Sequence, residues 1–141
     1  MNMQINAGDT AWILVCCSLV LLMTPALAFF YGGMVRRKNV LSTLTMSYIF
    51  MALIGVQWIV YGYSLAFGSD INGIIGGLNF LGFQNVDALP NAEYSKTIPH
   101  TLFAAFQMMF AVITPALITG AFVERVKFKS FLLFSLLWAT V

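Results

Sequence analysis

Charge is what this sequence has least of. Of 141 residues only 9% are Asp, Glu, Lys or Arg, while 60% are hydrophobic, and the mean hydropathy is +0.89. That composition excludes an ordinary soluble globule and leaves a membrane protein. The formal charge of +2, with no stripe of basic residues interleaved with aromatics, excludes a nucleic-acid partner. Histidine is nearly missing too, with His100 alone, so no metal cluster of His/Cys/carboxylate spacing can be assembled. A bridge between the adjacent Cys16 and Cys17 would be strained; they read as small apolar side chains in a helix. The chain offers no nucleophile–base–orienter set, and its long uncharged stretches hold no Asp, Glu, Lys or Arg to relay a proton. Neither an enzyme nor a cofactor is expected. No basic segment precedes the first apolar run, so no cleaved signal peptide is expected and the first helix should remain in the mature protein.

What is present is a series of long uncharged runs. Residues 10–35 carry no charge, and at ~1.5 Å per residue they exceed the ~30 Å hydrocarbon core. A second span is expected over 40–68 and a third over 98–123, with Thr97 as N-cap and Pro99 in the first turn, where its missing N–H costs nothing. Residues 130–141 are apolar but too short to cross, and read as an incomplete fourth span. The stretch 69–97, rich in Gly, Asn and Asp, is a loop. Its "GIIGG" lacks the preceding strand and following Lys of a phosphate loop. The whole is an all-α, polytopic transmembrane helix bundle forming a single membrane domain. Arg36, Arg37, Lys38, Arg125, Lys127 and Lys129 lie on the two short connections, whereas the loop holds Lys96 against Asp70, Asp87 and Glu93. By the positive-inside rule the N-terminus and the loop face outward, in a multi-pass cell-membrane protein.

"TPAL" occurs twice, at Thr24–Leu27 and Thr114–Leu117. Each copy puts a proline mid-span, where it removes one backbone bond and leaves Thr to satisfy the freed carbonyl. Chance recurrence in a restricted apolar alphabet accounts for the echo equally well. Phe103, Phe106 and Phe110 form one stripe along the third span. On spacing alone, such a stripe packs or faces lipid. Gln107 argues otherwise, because an amide cannot face hydrocarbon unsatisfied and must point into protein or a wet cavity. His100, one turn into the span, reads as a partly solvated interfacial residue. Gly32 and Gly33 permit close packing or a left-handed helix cap, and Ser64 and Gly68 read as small residues for helix contact.

Three stretches, "TPALAFFYGGMVRRKNVLS", "YGYSLAFG" and "FQMMFAVITPALITGAFVER", together resemble the N-terminal part of the ammonium transporter (Amt/Mep/Rh) family, in its Amt branch. The resemblance implies an eleven-helix fold with an inverted repeat, of which this chain supplies about three complete spans and a truncated fourth. It also implies a homotrimer in the lipid bilayer with one pore per subunit. On motif matching, Phe106 corresponds to an aromatic of the outer ammonium-recruitment site and Phe110 to one of two stacked gating phenylalanines. Leu27 and Leu117 correspond to pore-lining leucines, and Phe30 and Tyr31 to aromatics toward the cytoplasmic end of the pore. The family's recruiting Trp, nearby Asp and twin pore histidines are expected later than Val141. Met46 and Ala26 replace the Gln and Gly of many relatives. The implied substrate is ammonium or ammonia, with methylammonium as analogue, and a PII-type regulator is an implied partner on the cytoplasmic face. An Amt-like sensor fused to a signalling domain, and a non-conducting helical scaffold whose Phe stripe only packs, are the competing functions.

Overall fold

In the computed structural model, which describes residues 4–140, three helices are long and apolar enough to cross a membrane: Ala7–Met34, Arg37–Phe67 and His100–Phe122. The first starts where Asn6 Oδ1 accepts the backbone N–H groups of Gly8 and Asp9 at 2.8 and 3.1 Å, satisfying two of the donors that a helix start leaves open. It ends without a left-handed cap: Val35 is extended at φ −99°, ψ 166°. The packing role expected of Gly32 is the one observed, since a Cβ there would sit 3.5 Å from the Leu44 side chain.

The second helix is composite. A 3-10 turn, Arg37–Asn39, leads into α-helix Val40–Gln57, then a five-residue π turn Trp58–Gly62, then a last α turn Tyr63–Phe67. The π turn lets the helix widen by one residue around the Trp58 indole, whose Nε1 donates to Ala104 O of the third helix at 3.1 Å. A fourth helix, Phe128–Trp138, is 11 residues long; of the expected 130–141 segment, Val141 lies outside the described residues. The first three helices pack on one another, and the core joins Met46, Phe50 and Ile54 of the second to Val112 and Ala116 of the third and Phe131 of the fourth. Phe50 and Phe131 meet edge to face at 5.4 Å.

The segment between the second and third helices is more structured than its Gly- and Asn-rich composition suggests. Asp70–Ile71 pairs antiparallel with Ile75–Gly76, and the hairpin folds back on the end of the second helix. A Cβ at Gly68 would meet Gly77 O at 2.3 Å, and one at Gly76 would meet Leu65 O at 2.5 Å, so these glycines let two backbones touch. Ser64, expected at a helix contact, serves this loop instead: its Oγ donates to Gly77 O at 2.8 Å and accepts from Phe80 N–H at 3.0 Å. Thr97 is not the cap of the third helix; Pro99 holds that position and the Thr97 carbonyl accepts from Asn6 N–H. The first N–H groups of that helix go to the loop, His100 to Leu89 O and Thr101 to Asp87 O.

His100 consequently departs from the interfacial reading. It is 1% exposed, and its Nε2 is 2.6 Å from Tyr63 Oη, with the Phe80 ring against it at 5.3 Å. The loop closes over the helix start and takes the imidazole out of water. At the opposite end of the helices, the two basic connections are tied together through Glu124. Its Oε1 accepts from Arg36 N–H and from Asn39 Nδ2, and its Oε2 from the Arg36 guanidinium. Glu124 adopts φ +65°, a left-handed conformation uncommon for a residue with a Cβ.

Two outcomes are expected. Tyr63→Phe strands a buried imidazole nitrogen and should cost about 1–3 kcal/mol, read as a lowered thermal unfolding temperature of the purified protein; unchanged unfolding would mean that the pair adds nothing. The Asn39 amide first, and then the Arg36 backbone N–H, hold the Glu124 carboxyl below the ordinary value of 4.5. A depressed carboxyl stabilises the folded state above that value and loses its contribution as pH falls through the lower, folded one. Wild type should therefore lose stability in that acid window by a component that Glu124→Gln lacks.

Candidate functional site

Phe106 and Phe110 sit one helical turn apart, which places their side chains on one face. Their rings are 5.1 Å apart at 86°, edge to face. Phe106 is half-buried and Phe110 is 41% exposed. Phe103, the first member of the expected stripe, has other partners. Its ring stacks on Tyr94 at 5.8 Å and 15° and meets Phe67 edge-on at 5.3 Å, so it belongs with the loop. Gln107 beside the pair is half-buried.

The two TPAL copies differ in environment. Pro115 has no N–H, which leaves the carbonyl four residues earlier, at Ala111, without its helical donor. Thr114 does not supply one: its Oγ1 donates to Phe110 O at 2.7 Å. Thr24 is buried, and its Oγ1 has no partner among the described residues. Neither threonine therefore repairs the bond its neighbouring proline removes. The Thr114 bond instead fixes the backbone that carries Phe110.

Three of the remaining candidates come together. A cleft of about 360 Å³ between the first and third helices is lined by Phe30, Tyr31 and Leu117, with Gly120 and Glu124 at its border. Tyr31 Oη donates to Leu117 O at 2.9 Å, and the Phe30 and Tyr31 rings lie 5.7 Å apart. Gly120 makes this crossing achievable, since a Cβ there would stand 2.8 Å from two Tyr31 ring atoms. Leu27 is apart from this group and packs against the Met46–Phe50–Phe131 core.

Sequence reasoning passed over Gln57. It is 5% exposed, and its Nε2 donates to Thr140 Oγ1 at 2.7 Å and to Leu136 O at 3.4 Å, joining the second helix to the fourth. Its Oε1 is buried without a partner among the described residues, beside a cavity of about 470 Å³ that Trp58, Ala111 and Thr114 also line. The available signal was the one that drew attention to Gln107: an amide inside an uncharged span. No group of three His, Cys, Asp or Glu able to hold a metal occurs among the described residues.

Residues 11–141 match the model of the Ammonium Transporter Family. The chain is 54% identical over 134 residues to the ammonium transporter of Bacillus subtilis, covering 95% of this chain and 33% of that protein. It is 51% identical over 149 aligned positions to the ammonium transporter of Mycobacterium tuberculosis, covering 96% of this chain and 31% of that one. Among solved structures, Saccharomyces cerevisiae Mep2 superposes with a TM-score of 0.83 at 37% identity, over 99% of this chain and 31% of its own. Candida albicans Mep2 gives 0.83 at 30% identity, over 100% and 31%. The chain thus spans about a third of the length of the proteins it matches.

Gly120→Ala should push the Tyr31 ring aside and break its bond to Leu117 O, at a cost of about 0.5–1.5 kcal/mol for the bond alone. Tyr31→Phe, which removes only the hydroxyl, should cost the same bond and leave the ring in place. If Gly120→Ala unfolds no earlier than wild type, Tyr31 does not depend on the missing side chain.

Proposed function

Because this chain belongs to the ammonium transporter family, and three of its helices are fit to cross a membrane, we propose that it forms the outer aromatic site and part of the hydrophobic pathway of a multi-pass ammonium transporter. The observation that carries this reading is the edge-to-face Phe106–Phe110 pair, with Phe110 left open on the third helix. Here Phe106 receives ammonium by a cation–π contact, on the order of 1–2 kcal/mol when desolvated, and Phe110 gates the passage beyond it. Gln107, beside the pair, can accept a hydrogen bond from a hydrated or partly desolvated cation.

Beyond the gate the lining becomes apolar. Leu27 and Leu117 line the passage, and Phe30 and Tyr31 stand toward its cytoplasmic end. The 51% exposure of Leu117 and the cleft it shares with Phe30 and Tyr31 support this placement. Carrying a bare cation through such a lining is costly, so we infer passage as ammonia with the proton travelling separately. Methylammonium serves as the assayable analogue.

The same reading puts helices Ala7–Met34, Arg37–Phe67 and His100–Phe122 across the cell membrane in one domain, with the N-terminus and the loop 69–97 outward. The crowding of basic residues on the connections at the opposite end supports that orientation. An eleven-helix, homotrimeric assembly with a PII-type regulator on the cytoplasmic face completes the reading.

In the complete protein, Phe110→Ala should lower methylammonium uptake by at least several-fold while membrane expression persists, and Phe110→Tyr should retain most of it. Unchanged uptake in Phe110→Ala, at equal expression, would return the pair to a packing role.

A further inference from the structure

The cavity beside Gln57 is bordered by acceptors whose neighbouring donors are already committed. Thr140 Oγ1 donates to Leu136 O at 2.8 Å, so it accepts from Gln57 Nε2 at 2.7 Å and from Tyr61 Oη at 3.2 Å. Leu136 O, 3.4 Å from the same Nε2, can only accept. These partners fix the amide with its nitrogen toward the fourth helix and Oε1 turned away from it. The Trp58 indole N–H is spent on Ala104 O. Oε1 therefore keeps no donor among the described residues, although Gln57 is 5% exposed. A second acceptor borders the same space. Ala111 and Pro115 both line it, and the Ala111 carbonyl lacks the N–H that Pro115 cannot supply. Thr114, also in the lining, gives its hydroxyl hydrogen to Phe110 O at 2.7 Å.

We propose that this cavity is a hydration site inside the bundle, where ordered water donates hydrogen bonds to Gln57 Oε1 and to Ala111 O. Size permits it: about 470 Å³ holds several waters at about 30 Å³ each. Chemistry selects it. An acyl chain in the cavity would leave both acceptors unpaired in an apolar setting. A cation would bring charge against a wall that contains no carboxylate. Water supplies two donors and no charge. Hydration also accounts for the meeting of two backbone irregularities, the π turn Trp58–Gly62 and Pro115, on one cavity, since a wet space satisfies the groups that each one disturbs.

A structure of the complete protein at a resolution that shows ordered water, prepared without ammonium, tests the site. A solvent peak is expected within about 3.2 Å of Gln57 Oε1. Ala111→Val, which puts hydrocarbon into the cavity, should remove that peak. It should also shift the unfolding equilibrium in mixed micelles toward the unfolded state by roughly tenfold, the order expected for a stranded acceptor. Filling a dry apolar cavity would instead stabilise the protein, and that result would overturn the proposal. A double-mutant cycle separates stranding from a steric clash. In a Gln57→Leu background, which has no Oε1 to strand, Ala111→Val should shift the equilibrium by roughly threefold or less. An equal shift in both backgrounds would overturn the proposal; if Gln57→Leu does not fold, the solvent peak and its loss in Ala111→Val decide. Acyl-chain density in the cavity, or a peak that forms only when ammonium is added, would identify a different occupant and overturn it too. So would a donor side chain, Trp138 or one from elsewhere in the complete protein, paired with Gln57 Oε1.

Discussion

Hydrocarbon offers a backbone amide no hydrogen bond, and the rest of this structure follows from how the chain meets that requirement. Regular helix meets it by default, which is why the three long uncharged runs are helical. The informative places are where regularity lapses. Pro115 leaves the Ala111 carbonyl without its helical donor, the π turn at Trp58–Gly62 shifts the ladder of the second helix, and Gln57 brings an amide into the same region. Ala111, Trp58 and Gln57 share one cavity. Irregular backbone at membrane depth is tolerated where it lies against protein or a wet space, so the lapses gather on interior faces. Trp58 and Gln57 then recover bonds across helices, to Ala104 O and to Thr140.

The two ends of the bundle solve a different problem, that of fixing helices whose apolar flanks slide freely in lipid. At one end the loop uses aromatic packing and a buried Tyr63–His100 pair; at the other a single carboxylate, Glu124, joins two basic connections. The difference follows from composition. Residues 69–97 bring Phe80, Phe83 and Tyr94 onto Tyr63, Phe67 and His100 and build a small core there, whereas the short connections have room only for charge. Between these fixed ends the third helix holds Phe106 and Phe110 edge to face in one defined orientation, as the proposed site would need.

Uncharged runs made the three long helices legible in the sequence, because burial of backbone in lipid leaves a compositional signature that needs no partner to interpret. The pairing of Phe106 with Phe110 was legible as spacing. That Phe103 leaves the stripe was not, since it depends on where Tyr94 and Phe67 arrive after the loop folds. His100 was misjudged for the same reason: it is the first residue of its helix rather than one turn in, and a loop read as surface coil closes over it. Ser64 and Gly68 were recognised as contact residues and assigned to the wrong contact, because small size signals close approach without naming what approaches. The Glu124 tie joins positions 88 residues apart and left no local trace. Gln57 did leave one, and it was the same trace that singled out Gln107.

The central claim is that the exposed Phe110 ring and its neighbour Phe106 face a substrate path. A structure of the complete protein with bound methylammonium tests it most directly. This account expects the methylammonium nitrogen within about 6 Å of the Phe106 ring centroid, on the side from which Phe110 closes the way inward. Acyl chains packed against both rings, with the cation bound elsewhere, would contradict it.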